Sequence, residues 1–292
     1  MVLKVTMQGT VILLEANRPT VTTEVGEQYL CYMRGRVKRD VGRIMVGDQV
    51  LFEPTDNGEA VITQILPRSL ELKRPPVANV TGLFACFTLN DPSGNLELLD
   101  KRLVMAEIAA IKVEIILTKV DLVTDLQKVD HFVELYRSIG YSVWPLSAVA
   151  GIGMQEWLVT PRTGIWVLTG ESGVGKSALI SAVIPEARIA TGELSRIGRG
   201  QQTTRWVKLL PIQKFWLADT PGYTALELSG ADPHRIAAAF LEWSTVQCRF
   251  PNCLHGNEPG CQVKEGIELG RFSQTRYRHY RLMLEQWTRR WN

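Results

Sequence analysis

Hydrophobic and polar positions alternate along the N-terminal part of the chain. Four runs show this alternation, with Gly, Asn, Asp or Pro turns between them: TVILLE, QYLCYM, GDQVLFEP and EAVITQIL. A period of two is the pattern of half-buried strands, and no helical periodicity of useful length accompanies it. Short strands at this density predict a small OB-type β-barrel over residues 1–72.

The pattern changes after RPPVAN at residues 74–79, where two prolines are expected to break either regular structure. Beyond this linker, apolar strands alternate with helical stretches. Strands are predicted at 82–88, 113–117, 143–146 and 165–169, and helices at 96–110 and about 126–139. Such alternation predicts a parallel sheet with right-handed crossovers and helices on both faces.

From about residue 225 the pattern turns helical and includes a cysteine cluster. A chain of 292 residues is long enough for several domains, each with its own core. We therefore predict a multidomain α/β protein with three domains: an OB-fold barrel over 1–72, an α/β domain over 73–224 and a helical, zinc-binding domain over 225–292.

A glycine-rich segment, GESGVGKS at residues 170–177, follows the apolar strand IWVLT and precedes a helix-compatible stretch. It fits the pattern GxxxxGK[ST], in which glycines let successive N–H groups face a β-phosphate. Lys176 would bridge the β- and γ-oxygens, and the Ser177 hydroxyl would bind Mg²⁺. The alternative is an ordinary glycine-rich turn. The phosphate-binding residues predicted here are Gly170, Glu171, Ser172, Gly173, Val174, Gly175, Lys176, Ser177 and Ala178.

The stretch IILTKVDLV at residues 115–123 contains TKxD after a predicted strand. Asp121 can accept hydrogen bonds from N1–H and the 2-amino group of guanine, which adenine lacks, and the Lys119 stem can lie across the ring. The Ala148 amide, after the next strand, would meet the guanine O6. These positions favour GTP, with an ATPase or kinase as the alternative that nucleotide competition would distinguish. The base-binding residues predicted are Thr118, Lys119, Val120, Asp121, Ser147 and Ala148.

Two further segments match the switches of a GTPase. DTPG at residues 219–222 follows a strand, so Asp219 would hold the water shell of Mg²⁺ and the Gly222 N–H would touch the γ-phosphate. GRGQQTT ends a polar stretch over about 187–204, where Thr204, with Thr203 as the alternative, would coordinate Mg²⁺. The predicted Mg²⁺ ligands are thus Ser177, Thr204 and Asp219.

The base-binding motif precedes the phosphate loop, which reverses the usual order of a GTPase. Every one of these motifs follows a strand, and ligands of doubly wound sheets bind at the carboxyl ends of strands. All of them can therefore gather at one edge whatever their order. The sequence predicts a circularly permuted GTPase domain.

Four soft metal ligands lie within a short stretch, in the pattern C-x4-C-x-H-x5-C. They are Cys248, Cys253, His255 and Cys261. This is the ligand number of a closed tetrahedral Zn²⁺ site, so we expect one structural zinc ion. Separate buried thiols or a disulfide are the alternative, and Cys31 and Cys86 are expected to be plain buried residues.

Composition changes this picture little. Hydrophobic residues make up 45% and charged residues 22%, as in ordinary soluble proteins, and no long apolar run predicts export or membrane spanning, so a cytoplasmic protein is expected. The net charge of +3 leans towards polyanions. Two basic segments would suit RNA, although a solvated loop or a helix packed on its own domain explains them too: RGRVKRD (Arg34, Arg36, Lys38, Arg39) and RYRHYRLMLEQWTRRWN.

The chain resembles the RsgA family of GTPases, also called YjeQ or YloQ, over essentially its whole length. The resemblance lies in VGDQV, ILPR, RPPVAN, TKVDL, TGESGVGKS, GRGQQTT, DTPG and CRFPNCLHGNEPGC. It implies a factor in late small-subunit maturation, which binds the small ribosomal subunit and its rRNA and hydrolyses GTP on it. We expect a monomer whose GTP hydrolysis is stimulated by the subunit. An RNA-binding module that uses GTP only to set its shape is the alternative from a different class.

Two departures bear on the chemistry. Thr118 stands where many GTPases have Asn, so the amide that would meet guanine N7 and brace the phosphate loop is replaced by a shorter hydroxyl. Tyr223 follows DTPG where a water-orienting Gln is usual, and Gln202 occupies the position of a histidine common in the family. The predicted catalytic residues are Lys176, Thr204 and Gln202.

Overall fold

The computed structural model describes residues 5–15, 18–33, 43–56, 58–73, 75–90, 94–184, 207–219 and 232–288. The chain forms two compact units. The first comprises Met1–Leu83, Leu158–Ser172 and Lys176–Thr224, and the second Phe84–Trp157, Gly173–Gly175 and Ala225–Asn292. This division is not the predicted one into three domains, whose boundaries stay a prediction.

The described strands are β1 (Met7–Glu15), β2 (Arg18–Thr22), β3 (Gln28–Met33), β4 (Gln49–Pro54), β5 (Ala60–Ile65), β6 (Glu71–Lys73), β7 (Pro76–Ala78), β8 (Val80–Thr88), β9 (Lys112–Thr118), β10 (Ser142–Pro145), β11 (Gly164–Thr169), β12 (Lys208–Ile212) and β13 (Phe215–Asp219). The described α-helices are α1 (Leu96–Ile108), α2 (Leu126–Ile139), α3 (Met154–Val159), α4 (Lys176–Val183), α5 (Pro233–Ala238), α6 (Gln262–Glu268) and α7 (Gln274–Thr288). None of these helices is long and apolar enough to cross a membrane.

The first unit contains the predicted barrel. Its strands pair in the order β1, β2, β3, β5, β4, and β4 pairs back onto β1 to close the barrel. The β3–β5 pair is parallel and the others are antiparallel. Alternate side chains such as Val11, Val21, Val50 and Phe52 are wholly buried inside. The barrel is confirmed, but β2 was missed, because RPTVT opens with Arg and Pro and lacks clear alternation.

The linker prediction was wrong in part. Pro76–Ala78 does not interrupt regular structure but forms β7, which pairs with Glu71–Lys73 in a two-stranded sheet. Proline is tolerated there because Pro76 is the first residue of a strand in a sheet that has only edges. Beside it, the fully buried Asp48 accepts hydrogen bonds from Arg68 Nε at 2.7 Å and from the Met45 N–H at 2.7 Å. The ion pair of Asp48 with Arg68 therefore joins the carboxylate of the motif VGDQV to the arginine of the motif ILPR.

The first unit also holds the strands that lead to the phosphate loop. β11 pairs in parallel with β13, with Val167 opposite Ala218, and β13 pairs in antiparallel fashion with β12. β12 in turn contacts β1 through Lys208 and Leu13. The hairpin strand β12 was not predicted, because KLLPI contains a lysine and a proline and its turn residues are Gln213 and Lys214 rather than the usual Gly or Asn.

In the second unit, the last residues of β8 lie beside β9, which pairs in parallel with β10. Helices α1 and α2 connect these strands. Both helices begin at side-chain caps, since Asn95 accepts from the Glu97 N–H at 2.8 Å and Asp125 from the Gln127 N–H at 3.1 Å. The predicted helix at 126–139 is confirmed at both ends.

The C-terminal helices share a core with α1 inside the second unit. Val104 of α1 clusters with Ile236, Phe240, Trp243 and Tyr280, all buried. Within this cluster the rings of Phe240 and Trp243 are stacked, with their centroids 4.8 Å apart. The apolar face of α7 is therefore occupied by its own unit.

A buried group of charged residues lies beside this core. Arg276 of α7 is ion-paired with Asp100 of α1 and with Glu242, whose Oε1 is 2.5 Å from Nε. Asp100 also accepts from the Tyr136 hydroxyl at 2.9 Å and lies 2.6 Å from Nδ1 of His279. Because each charge has a partner, the group can remain buried. We call these five residues the α1–α7 network.

Candidate nucleotide-binding and metal sites

The phosphate loop lies between β11 and α4, as predicted. Gly173 and Gly175 have φ angles of 78° and 104°, a region that only glycine enters at little cost. The Lys176 ammonium donates to the carbonyls of Gly170 at 2.7 Å and Glu171 at 2.8 Å, so the loop curls around the charge. The Ser177 side chain, in the first turn of α4, is exposed. This loop offers backbone N–H groups, an ammonium and a helix N-terminus to a phosphate.

Asp219 is the last residue of β13, next to the strand that carries the phosphate loop. Its parallel neighbour β11 ends at Thr169, so both carboxyl ends lie at the same edge within the first unit. Burial raises the pKa of Asp219, since a desolvated carboxylate is disfavoured without a cation. Ser177 and Asp219 thus supply oxygen ligands of the kind that Mg²⁺ prefers.

The base-binding segment, residues 118–121, follows β9. Thr118 is buried, and its hydroxyl lies 2.6 Å from the Val174 carbonyl and 2.9 Å from the Phe87 carbonyl. Both partners belong to the second unit, which includes Gly173–Gly175 of the phosphate loop. The shorter hydroxyl thus keeps the brace to the phosphate loop, because Thr118 approaches the loop closely enough to bond it.

Lys119 and Asp121 follow Thr118 in the same segment, the first half-buried and the second exposed. Lys119 adopts a left-handed conformation with φ of 58°, and its Cε lies 3.8 Å from where a Cβ on Gly175 would be. Asp121 is exposed in a short 3-10 helix at Val120–Leu122. An exposed carboxylate next to a lysine stem along the loop is an arrangement that suits a purine base.

The segment after β10 is held against the base-binding segment. The Val120 N–H donates to the Leu146 carbonyl at 3.3 Å, and the Ser147 hydroxyl accepts from the Ala150 N–H at 3.0 Å. Ser147 is buried and Ala148 half-buried. Ser147 therefore shapes the turn, and among the described residues the Ala148 amide has no hydrogen-bond partner.

Several predicted positions lie outside the described residues. They are Gln202, Thr203, Thr204, Gly222 and Tyr223 of the switches, and Arg34, Arg36, Lys38 and Arg39 of the barrel. Their predicted roles stay predictions.

The four predicted metal ligands come together. Their ligand atoms all lie within 4.8 Å of one another. His255 Nδ1 is 3.5 Å from Cys248 Sγ and 3.6 Å from Cys261 Sγ, and the two sulfurs are 4.0 Å apart. A tetrahedral zinc ion with ordinary bond lengths would separate S and N by about 3.6 Å and two sulfurs by about 3.8 Å. The cluster therefore fits a metal ion of this kind, and its cysteines form no disulfide.

Comparison with known proteins shows to which family the chain belongs. The family model described as RsgA GTPase matches residues 65–229. The small ribosomal subunit biogenesis GTPase RsgA of Carboxydothermus hydrogenoformans is 41% identical over 267 residues, which cover 89% of this chain and 91% of that protein.

The chain belongs to the RsgA GTPase family.

Solved structures agree with this placement. YjeQ from Thermotoga maritima superposes with a TM-score of 0.83 at 32% identity, covering 97% of this chain and 98% of that one. YloQ, a circularly permuted GTPase, gives 0.81 at 29% identity, covering 98% and 96%. Membership of the RsgA GTPase family makes the chain a GTPase, and its permuted order of motifs is that of a family fold rather than an accident of pattern.

Some residues that support the metal site of this protein were not predicted from the sequence. The metal loop is held by the Tyr277 hydroxyl, which donates to the His255 carbonyl at 2.7 Å, and by the Tyr280 hydroxyl, which donates to the Leu254 carbonyl at 2.6 Å. Glu258 accepts from the Gly256 N–H at 2.7 Å. The two tyrosines and the buried Arg276 thus pack within their own unit, which is the alternative to RNA contact considered for this basic helix. The spacing of three between Tyr277 and Tyr280, which places them on one face of a helix, was the signal that could have shown this.

Proposed function

We propose that this protein binds GTP with its phosphate loop and its base-binding segment and hydrolyses it during maturation of the small ribosomal subunit. The observation that supports the nucleotide site most strongly is the hydrogen bond from Thr118 to the Val174 carbonyl, which joins the two segments. The relative from Carboxydothermus hydrogenoformans is named for small ribosomal subunit biogenesis, which supports the biological role.

In this proposal each group has a separate task. Lys176, whose ammonium donates to two loop carbonyls, would donate instead to the β- and γ-phosphate oxygens. Ser177, Asp219 and Thr204 would hold Mg²⁺, which supplies charge neutralisation on the phosphates when bound. The γ-phosphate would be touched by the Gly222 N–H. Gln202 is the candidate to orient the attacking water, because its amide can both donate and accept.

Guanine selection rests on Asp121 in this proposal. An Asp121→Asn variant keeps the acceptor for N1–H but turns the second acceptor into a donor, which matches the 2-oxo group of xanthine and opposes the 2-amino group of guanine. We expect its affinity for GTP to fall at least a hundredfold and its affinity for XTP to rise.

The matched control for that experiment is Asp125→Asn. Asp125 caps α2 four residues further on, and asparagine caps a helix equally well. This variant should keep the preference for GTP, and excess ATP should not displace GTP from it. Equal competition by ATP and GTP in the unmodified protein would instead favour the ATPase or kinase alternative.

The role on the ribosome is tested by GTP hydrolysis with and without purified small ribosomal subunits. We expect slow hydrolysis alone and a large stimulation by the subunits. Absence of stimulation would favour an RNA-binding module in which hydrolysis is incidental. Undiminished stimulation of a Gln202→Ala variant would remove Gln202 from the mechanism.

We further propose that the metal of the cysteine cluster is Zn²⁺ and that it is structural. Three thiolates and an imidazole fill a tetrahedron, so no position is left for a substrate or water. Elemental analysis of the purified protein should give one zinc per chain. A monomeric state and a cytoplasmic location stay predictions, of which the first is checked by light scattering.

A further inference from the structure

The base-binding segment of this chain lacks a side-chain amide of its own. Thr118 cannot replace it towards the nucleotide, because its single hydroxyl hydrogen faces two backbone carbonyls, those of Val174 and Phe87. Its side chain is also buried. Whatever holds the segment in shape for a base must therefore come from elsewhere.

Asn90 supplies such an amide from a neighbouring strand end. It lies just beyond β8, and its Nδ2 donates to the Lys119 carbonyl at 2.7 Å. The orientation of this amide is fixed by chemistry, since a carbonyl can only accept and the NH₂ group must therefore face it. Asn90 is itself positioned by a bond from its own N–H to the hydroxyl of Thr88, which is buried.

The residue that Asn90 holds is the one under backbone strain. A lysine in the left-handed region is disfavoured by its Cβ and persists only where its surroundings fix it. Here two donors converge on the Lys119 carbonyl, Asn90 from one side and the Leu122 N–H at 3.0 Å from the other. This conformation sends the lysine stem towards Gly175.

We propose that Asn90 is a positioning residue for guanine nucleotides: it clamps Lys119 in the left-handed conformation that sets the lysine stem and Asp121 for the base. The proposal rests on the proposed function of residues 118–121. Asn90 acts through Lys119 and touches no reacting atom.

Asn90→Asp tests this at constant size, because it places a second acceptor against the Lys119 carbonyl. We expect its affinity for GDP to fall about tenfold, as expected for one hydrogen bond replaced by a repulsive contact, and Asn90→Ala to lose somewhat less. Since Asn90 acts through Lys119 on binding of the base, kcat at saturating GTP should stay unchanged while KM rises. Affinity for inorganic pyrophosphate, which needs the phosphate loop alone, should also be unchanged.

Asn95→Asp is the matched control. It makes the same chemical change on the same connection, but aspartate keeps the cap of α1, so GDP affinity should equal that of the unmodified protein. The proposal is overturned if Asn90→Asp and Asn90→Ala bind GDP as tightly as the control does, or if their pyrophosphate affinity drops in parallel, which would indicate a general structural effect. Failure of the proposed function is a different result, since the unmodified protein would then bind GDP no better than ADP.

Discussion

At the scale of single residues, the nucleotide site depends on hydrogen bonds between side chains and backbone carbonyls. Thr118 bonds the phosphate loop, Lys176 bonds the carbonyls of the same loop, and Asn90 bonds the base-binding segment. Thr118, Val174 and Phe87 are all buried, so losing the bonds of the Thr118 hydroxyl should cost more than losing an exposed hydrogen bond.

Replacement of Thr118 by valine tests the first of these bonds. The two side chains have nearly the same shape, but valine leaves the Val174 and Phe87 carbonyls without this donor. We expect the free energy of unfolding to fall by about 1–3 kcal/mol and GDP to bind more weakly, because the loop loses its brace. Thr118→Ser keeps the hydroxyl and should retain most of the affinity. Titration calorimetry and urea denaturation measure both quantities, and equal GDP affinity in the two variants would contradict the role of the hydroxyl.

At the scale of elements, α7 is fastened to α1 by buried charge rather than by apolar contact alone. Arg276, with 1% of its side chain exposed, lies between Asp100 and Glu242, and its guanidinium also lies 5.1 Å from the centre of the Phe240 ring. Burial raises the pKa of the Tyr136 hydroxyl in the same network, so it stays protonated and donates to Asp100. The network therefore fixes the position of α7, and with it the tyrosines that hold the metal loop.

Arg276→Met should destabilise the second unit strongly. The methionine fills much of the space, but Asp100 and Glu242 are left buried without their cation, which costs about 3–5 kcal/mol in comparable buried pairs. Arg278→Met is the matched control on the same helix, because Arg278 is exposed, and it should change stability by less than about 0.5 kcal/mol. Guanidinium denaturation of the zinc-loaded proteins compares them. Similar midpoints for both variants would show that the network contributes specificity rather than stability.

At the scale of the whole molecule, circular permutation keeps each GTPase motif at the end of a strand. What it changes, relative to an ordinary GTPase, is which segments of the chain follow the motifs. In chain order, the C-terminal helices follow β13 and DTPG, and β8 follows the strands of the barrel. Those helices build their core with α1. The metal cluster is thus part of the same compact unit as the base-binding segment, although more than a hundred residues separate them along the chain.

Removal of the metal should therefore destabilise the second unit first. Cys261→Ser, or treatment with a strong chelator, should release one zinc per chain and lower the melting temperature, since ligand binding to the folded state contributes to stability. Cys31→Ala is the control, because this thiol lies in the barrel core and should leave the zinc content unchanged. Mass spectrometry under native conditions gives the metal count. A Cys261→Ser protein that still holds one equivalent of zinc would exclude the proposed ligand set.

The sequence by itself determined the features that are local patterns. The phosphate loop, TKxD and the cysteine cluster are short motifs whose chemistry depends on residue type and spacing, and the strands that precede them follow from apolar runs. The same locality explains the misses: β2, β7 and β12 carry weak or proline-interrupted patterns, and pairing with other strands, rather than their own residues, makes them regular.

Only the tertiary structure decided which groups hold these motifs in place. Thr118 and Val174 are 56 positions apart, Asn90 and Lys119 are 29 apart, and Arg276 and Asp100 are 176 apart. No periodicity or spacing links such residues, because their contact exists only after the strands and helices between them have packed. The chemistry of the site was therefore present in the sequence, whereas its support depends on contacts that folding creates.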